Sequence, residues 1–300
     1  MRLTSKKAVK RLLVRAFPEG FMRRFFFIRH VVRVKRAERA VAAFSHHASK
    51  PHNLSAKLIV SLTSYPQRYE TLPKTLKSLL MQTVRADRII LWVAHGDDKD
   101  LPPQVLELQS HGLEILCCND ARSFNKIVPA LELFPDAYLV TADDDLYYEP
   151  DWLETLVAGV IPGEAIIVCR RAHRPHALGQ GFAPYDSWDH DVVTGGVIED
   201  CIFPTTGAGV LFPPRSLAPE TVDRRQFEQL CPNADDVWLF VMALRAGARF
   251  RQVGKGFVQI CWDGSQVSSL MEINLTGGND RQLDAVLHHF GNTLRDLHSW

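Results

Sequence analysis

This chain of 300 residues has no apolar run long enough to span a bilayer. Its nearest approach, Phe21 to Val34, is broken by Arg23, Arg24, Arg29 and Arg33. The same stretch lacks the uninterrupted apolar core and small-residue cleavage site of a secretory signal. Cysteine is scarce: Cys117, Cys118, Cys169, Cys201, Cys231 and Cys261 show no metal-ligand spacing. Reduced, buried thiols are the expectation, and with them a cytoplasmic location. No Walker, G-x-S-x-G or H-E-x-x-H sequence is present. That removes P-loop, α/β-hydrolase and zincin chemistry from the candidates. Internal repeats and low-complexity tracts are absent too, which excludes solenoids and arrays.

What the chain does have is enough apolar content, 46%, for a sizeable core. Its net charge of +1 conceals an asymmetry. Residues 1–52 hold fourteen Lys/Arg and two Glu, a charge of +12, and the rest carries −11. We expect 1–52 to be a basic amphipathic segment and 53–300 the folded domain. Phe21, Phe25, Phe26, Phe27 and Ile28 interleave with the basic residues. That mixture suits an anionic membrane surface, where each Lys/Arg near the interface contributes about 1 kcal/mol. A helix packed on the domain is the bland alternative. Nucleic acid is not an expected partner, because no binding motif accompanies the basic residues and the remainder is acidic.

From residue 57 the pattern alternates strand and helix. Leu58–Thr63, Arg88–Ala94, Leu113–Cys117, Tyr138–Val140 and Ala165–Cys169 read as strands. Between them, Thr71 opens a helix with Pro73 in its first turn, and 123–134 reads as helical. This rhythm predicts an α/β fold with a mostly parallel sheet and helices on both faces. Arg170 to Pro204 has no periodic run and reads as a long functional loop.

The strand at 138–140 runs into Asp143, Asp144 and Asp145. Three like charges at a buried strand tip are costly unless a cation neutralises them. Asp143 and Asp145 share one side of an extended chain. Either this is a solvated acidic turn, or it holds Mg²⁺ or Mn²⁺ between carboxylates and a diphosphate. Asp151 and Glu154 then form an N-cap with an acid three residues on, opening a helix. Downstream, Val237, Phe240, Val241 and Leu244 define one helix face, and Gly247 a C′ stop. Asp235 and Asp236 sit at that helix's N-terminus, where capping alone accounts for them.

Asp143-Asp144-Asp145 with Pro150-Asp151-Trp152-Leu153-Glu154 resembles the GT-A glycosyltransferases, in particular the family-2-like group of bacterial surface-polysaccharide enzymes. The resemblance covers roughly 57–290. It implies a Rossmann-like GT-A fold and a metal-dependent glycosyltransferase. The reaction moves a sugar from a nucleotide-diphosphate donor to a hydroxyl of a glycan or lipid-linked glycan, with inversion. By the same resemblance, Thr63, Tyr65 and Arg68 form a nucleotide-binding loop. Asn125 and Lys126 lie beside the nucleotide, together with Asp143 and Asp144. Asp143 and Asp145 hold Mn²⁺ or Mg²⁺. Asp236 becomes the catalytic base, with Asp235 beside it where the family carries Glu. Gly207-Ala208-Gly209 matches a small-residue segment flanking the acceptor, and its bland reading is a tight turn. His173, His288 and His289 are candidates for a third metal ligand. Trp188-Asp189-His190-Asp191 is a candidate sugar-stacking stretch from composition. The expected setting is the inner membrane face.

Three rivals remain. A retaining GT-A enzyme shares the same stations. A sugar-nucleotide pyrophosphorylase would carry a glycine-rich basic loop after the first strand, and Ser64–Arg68 has no glycine. An inactive sugar- or membrane-binding adaptor would not need acids at both stations. Haloacid-dehalogenase phosphatases also end a strand in D-x-D, but they expect Thr or Val where Tyr147 stands.

Overall fold

The computed structural model describes residues 19–45, 49–179, 181–265 and 277–291, with side chains of the first helix from Ile28 onward. The chain forms two compact units, Met1–Phe44 and Ser45–Trp300. The first contributes helix α1, Glu19–Ala42. Val34, Ala37 and Val41, spaced three and four apart, are buried, whereas Ile28 and Val32 are exposed. The side chains of Phe21, Phe25, Phe26 and Phe27 lie outside the described residues. Among the described residues, no helix is long and apolar enough to cross a membrane.

The second unit is built on one eight-stranded sheet. In chain order its strands are β1 (Leu58–Thr63), β2 (Arg88–Ala94), β3 (Leu113–Cys118), β4 (Tyr138–Thr141), β5 (Ile166–Cys169), β6 (Ile198–Glu199), β7 (Val210–Phe212) and β8 (Arg249–Gln252). The helices used below are α2 (Leu72–Leu80), α3 (Val128–Leu133), α4 (Trp152–Val157), α5 (Asp235–Arg245) and α6 (Asn279–His289). The spatial order is β6-β8-β5-β7-β4-β1-β2-β3. Strands β3, β2, β1 and β4 run parallel, as do β5 and β8. Strand β7 is antiparallel to both β4 and β5. All five expected strands form: the central ones are apolar runs covered on both faces, while the edge strand β3 is only partly covered, with Cys117 exposed. Leu58, Ile59, Val60 and Leu62 are completely or almost completely buried.

This topology fixes the site. The C-terminal ends of β1, β4, β5 and β8 and the N-terminal end of β7 share one sheet edge. Open α/β sheets bind ligands outside the carboxyl ends of their strands.

Four local expectations are corrected. Asp151 precedes α4 but makes no side-chain cap bond. Glu154 instead accepts from the Thr83 hydroxyl at 2.7 Å, so no capping box forms. The stretch 123–134 is not one helix but a 3₁₀ turn, Arg122–Lys126, followed by α3, with Pro129 in the first turn of α3. Helix α5 is buried on every side rather than along one stripe: Val237 through Leu244 are all buried. Among its described residues, the 170–204 region carries only two-residue strands and a 3₁₀ turn. Trp188 there is 2% exposed, packs edge-on against Phe203 and donates its indole N–H to Ala183 O. Its ring belongs to the core and offers no face to a sugar.

Candidate functional site

The first station follows β1. Thr63 donates its hydroxyl to Trp92 O at 2.9 Å, pinning the strand tip to β2. Pro66–Arg68 then forms a 3₁₀ turn, with Tyr65 half-exposed. Arg68 folds back under this turn. Its Nε donates to the Tyr65 hydroxyl at 3.2 Å and its Nη1 to Asp145 Oδ2 at 2.8 Å. Burial alone would lower the Arg68 pKa, but Tyr65, Asp144 and Asp145 outweigh it and raise it.

The second station is the acidic turn after β4. Its three carboxylates diverge. Asp144 is buried and accepts from the Ser64 hydroxyl at 2.6 Å. Burial, followed by the neighbouring Asp145, pushes Asp144 up to about 7, with Ser64 and Arg68 opposing. Its backbone carbonyl accepts from Thr75, which in turn accepts from the Trp262 indole. Asp144 therefore ties the turn to α2, while Asp143 and Asp145 face the sheet edge with Lys126 and Arg68.

Lys126 joins this station to the next. The 120–126 turn is closed by Asn125, whose Oδ1 accepts from Ala121 N at 2.9 Å. That bond aims Lys126 inward, where it is only 5% exposed. Its Nζ sits 2.7 Å from Asp143 Oδ1 and 3.0 Å from Asp235 Oδ2. Burial would lower its pKa, but Asp143, Asp235 and Asp236 raise it instead. Lys126 is held charged by acids from two chain segments.

The third station is the N-terminus of α5. Asp235 is 7% exposed and pairs with Lys126. Asp236 Oδ1 accepts from the Thr206 amide at 2.8 Å and from its hydroxyl at 2.5 Å. The same hydroxyl lies 3.1 Å from Asp235 Oδ2, so one proton serves two acids. Burial, then Asp235, pushes Asp236 up to about 6, while Lys126 and Thr206 hold it down. Sequence reasoning did not single out Thr206. Its signal is its place before Gly207-Ala208-Gly209.

Those glycines are sterically required. A Cβ on Gly207 would stand 2.0 Å from Asp143 Oδ2. Gly209 has φ +103° and a Cβ there would meet the Trp152 indole at 2.4 Å. Tyr148, fully buried, accepts from Asp143 N–H and donates to Gly207 O, both at 2.7 Å. The 205–209 turn is thereby clamped to the acidic turn.

Asp143 and Asp145 offer the hard oxygen donors that Mg²⁺ and Mn²⁺ take. Among the described residues, no group of three His, Cys, Asp or Glu could hold a metal ion. The donor set does not build an all-protein cage. Lys126 engages Asp143 and Arg68 engages Asp145, so a cation here would be held chiefly by a diphosphate and water, with these two carboxylates as the candidate protein ligands. The candidate histidines do not join it. His173 is buried and accepts from Asp191 N–H at 3.0 Å, and burial, then Arg171 and His190, pushes it down to about 3. His288 and His289 are exposed on α6.

No family model matches this chain, and no curated protein matches it. Solved structures resemble it at low identity. A crystal structure of GalNAc-T7 with UDP, GalNAc and Mn²⁺ aligns over 76% of this chain at 14% identity and TM-score 0.41; this chain spans about half, 48%, of that one. A crystal structure of 4-diphosphocytidyl-2C-methyl-D-erythritol synthase covers 74% of this chain and 99% of its own at 12% identity and TM-score 0.39. A mycobacterial protein covers 78% and 74% at 14% identity and TM-score 0.43.

Proposed function

We propose that this chain is a GT-A glycosyltransferase of the family-2-like group. It moves a sugar from a nucleoside-diphosphate donor to a hydroxyl of a glycan or lipid-linked glycan and inverts the anomeric carbon. One observation carries the reading. The Lys126 ammonium touches Asp143 on the acidic turn and Asp235 beside the base. A donor station and an acid for the acceptor therefore lie within one side chain's reach, on the sheet edge where α/β folds bind ligands.

The residues divide the work as follows. The Thr63–Arg68 loop borders the nucleotide side, with Arg68 supplying a fixed positive charge toward the diphosphate. Bound Mg²⁺ or Mn²⁺ offsets negative charge on the leaving diphosphate. Asp236 accepts the acceptor's hydroxyl proton as that oxygen attacks the anomeric carbon. The bond from that carbon to the diphosphate oxygen breaks, and its electron pair leaves with the diphosphate. With a pKa of about 6, Asp236 is ionised at neutral pH yet more basic than an ordinary carboxylate. Thr206 keeps its Oδ1 occupied and so orients the carboxylate. Surface-polysaccharide assembly at the inner membrane face is the setting, with the +12 segment drawn to anionic lipid.

The test is a thermal-shift panel of nucleoside diphosphates with Mn²⁺, then NMR of the product's anomeric proton. Stabilisation by one diphosphate and an inverted product support the reading. A retained configuration favours the retaining rival. Neither binding nor metal-dependent hydrolysis of any nucleotide sugar would leave the adaptor.

A further inference from the structure

Arg170 directly follows β5, on the same sheet edge as the carboxylates but on the far side of β7. Its backbone is fully engaged: its N–H donates to Gly209 O at 3.1 Å and its carbonyl accepts from Gln252 Nε2 at 3.2 Å. Its side chain is not. The residue is 8% exposed, yet among the described residues no hydrogen bond or ion pair reaches the guanidinium, and Nε is buried without a partner. Glu149 and Asp151 act on it only through space, and burial lowers its pKa against their pull. The chain makes room for this group. At Gly254, φ +76°, a Cβ would stand 2.4 Å from Arg170 Nη1 and 3.4 Å from Thr155 Cγ2.

Thr155 is also a wall of a groove of about 400 Å³ between α4 and the end of β8, lined with Asp151, Glu154, Gly159, Arg251 and Val253. Arg251 is committed to the fold through Gly196 O and Gly159 O. Glu154 is met by Thr83 and Lys50. Arg170 is not in this lining but stands behind it, against Gly254 next to Thr155, and among the described residues no protein group engages its guanidinium.

A buried cation without a partner is destabilising. Here it also leaves a planar fork of five unused N–H donors, whose shape matches an oxyanion bidentately. The geometry points to an anion-binding position at Arg170, taking a phosphate or carboxylate group. It lies on the β5–β8 half of the sheet, away from the nucleotide loop on β1. The anion therefore belongs to the acceptor: a phosphate ester or a uronic acid. This rests on the transfer reading only for the molecule that brings the anion.

Calorimetric titration of the full chain with inorganic phosphate and, separately, with glucuronate tests it, each with and without UDP and Mg²⁺. Wild type should bind at least one anion, and which one distinguishes phosphate ester from uronic acid. Arg170→Met should weaken that binding about ten-fold or more. Arg170→Lys, which keeps the charge without the fork, should fall between. Should Arg170→Met not fold, Arg170→Gln is read in its place. No binding of either anion to wild type, or equal binding by the Met or Gln variant, overturns the proposal. Failure of UDP to bind strikes the transfer reading and leaves the Arg170 comparison intact.

Discussion

Asp236 is buried beside a second acid, Asp235, and that environment sets its behaviour with pH. Asp236→Asn keeps the shape and the Thr206 amide bond but cannot accept a proton. We expect kcat to fall about 10²-fold or more with donor binding nearly unchanged, measured by initial rates and calorimetry. In the wild type, kcat/KM should decline as pH drops through about 6, where the carboxylate protonates. The sign for stability runs the other way. The folded pKa of about 6 lies above the ordinary 3.8, so the folded state binds the extra proton between those values. That contribution is full below about pH 4 and is lost as pH rises through 6. Asp236→Asn should therefore melt above wild type at pH 7.5 and level with it near pH 4. Equal melting at both pH values would mean that Asp236 is not held in this environment. Gly207 acts through space rather than backbone strain. Gly207→Ala places its Cβ 2.0 Å from Asp143 Oδ2, so Asp143 must turn away. Nucleotide affinity should then drop while the melting temperature moves much less; unchanged affinity removes Asp143 from the donor side.

Helix α5 shows why periodicity alone misjudged an element. The i, i+3, i+4, i+7 pattern found one apolar stripe, but Trp238, Leu239, Met242 and Ala243 make the opposite side apolar as well. A helix apolar all round is one covered all round. Here the 170–204 region and the end of α6 supply the cover: Phe182 packs tilted and Phe203 edge-on against Phe240, and Phe290, just past α6, packs tilted against Trp238. Phe240→Ala should therefore cost about 3–5 kcal/mol, read as a lower urea midpoint at unchanged slope. A loss below about 1 kcal/mol would mean the site collapses around the gap. The basic segment makes a second prediction at this scale. Protein beginning at Leu54 should lose sedimentation with anionic liposomes, and the binding of the full chain should weaken with salt. Equal sedimentation of the two would remove 1–52 from membrane association.

At the scale of the whole molecule, legibility followed sequence distance. Strands were legible because each is a short apolar run, and the central ones have both faces covered. The acidic turn was legible because like charges at a buried strand tip are costly, whereas the α5 acids, ordinary at a helix start, were legible only through the family resemblance. What joins them was not. The resemblance placed Lys126 beside the nucleotide, but only folding sets it between residues 143 and 235; Thr206 is marked only by the glycines that follow it, and Arg170 carries no local mark. The capping box at Asp151 failed for the same reason: Thr83, distant in sequence, captured Glu154. Lys126 therefore tests whether the two halves of the site are one unit. Its partner Asp235 is as buried as it is, so removing the ammonium leaves a carboxylate uncompensated in the interior. Lys126→Met should destabilise by about 3–5 kcal/mol, far more than an exposed ion pair contributes. Adding Asp235→Asn removes the stranded charge, and the double variant should recover part of that loss. Denaturation midpoints of the wild type, both singles and the double close the cycle. Strictly additive losses would mean that Lys126 and Asp235 stabilise the fold independently, and that the carboxylate turn and the base are neighbours without being coupled.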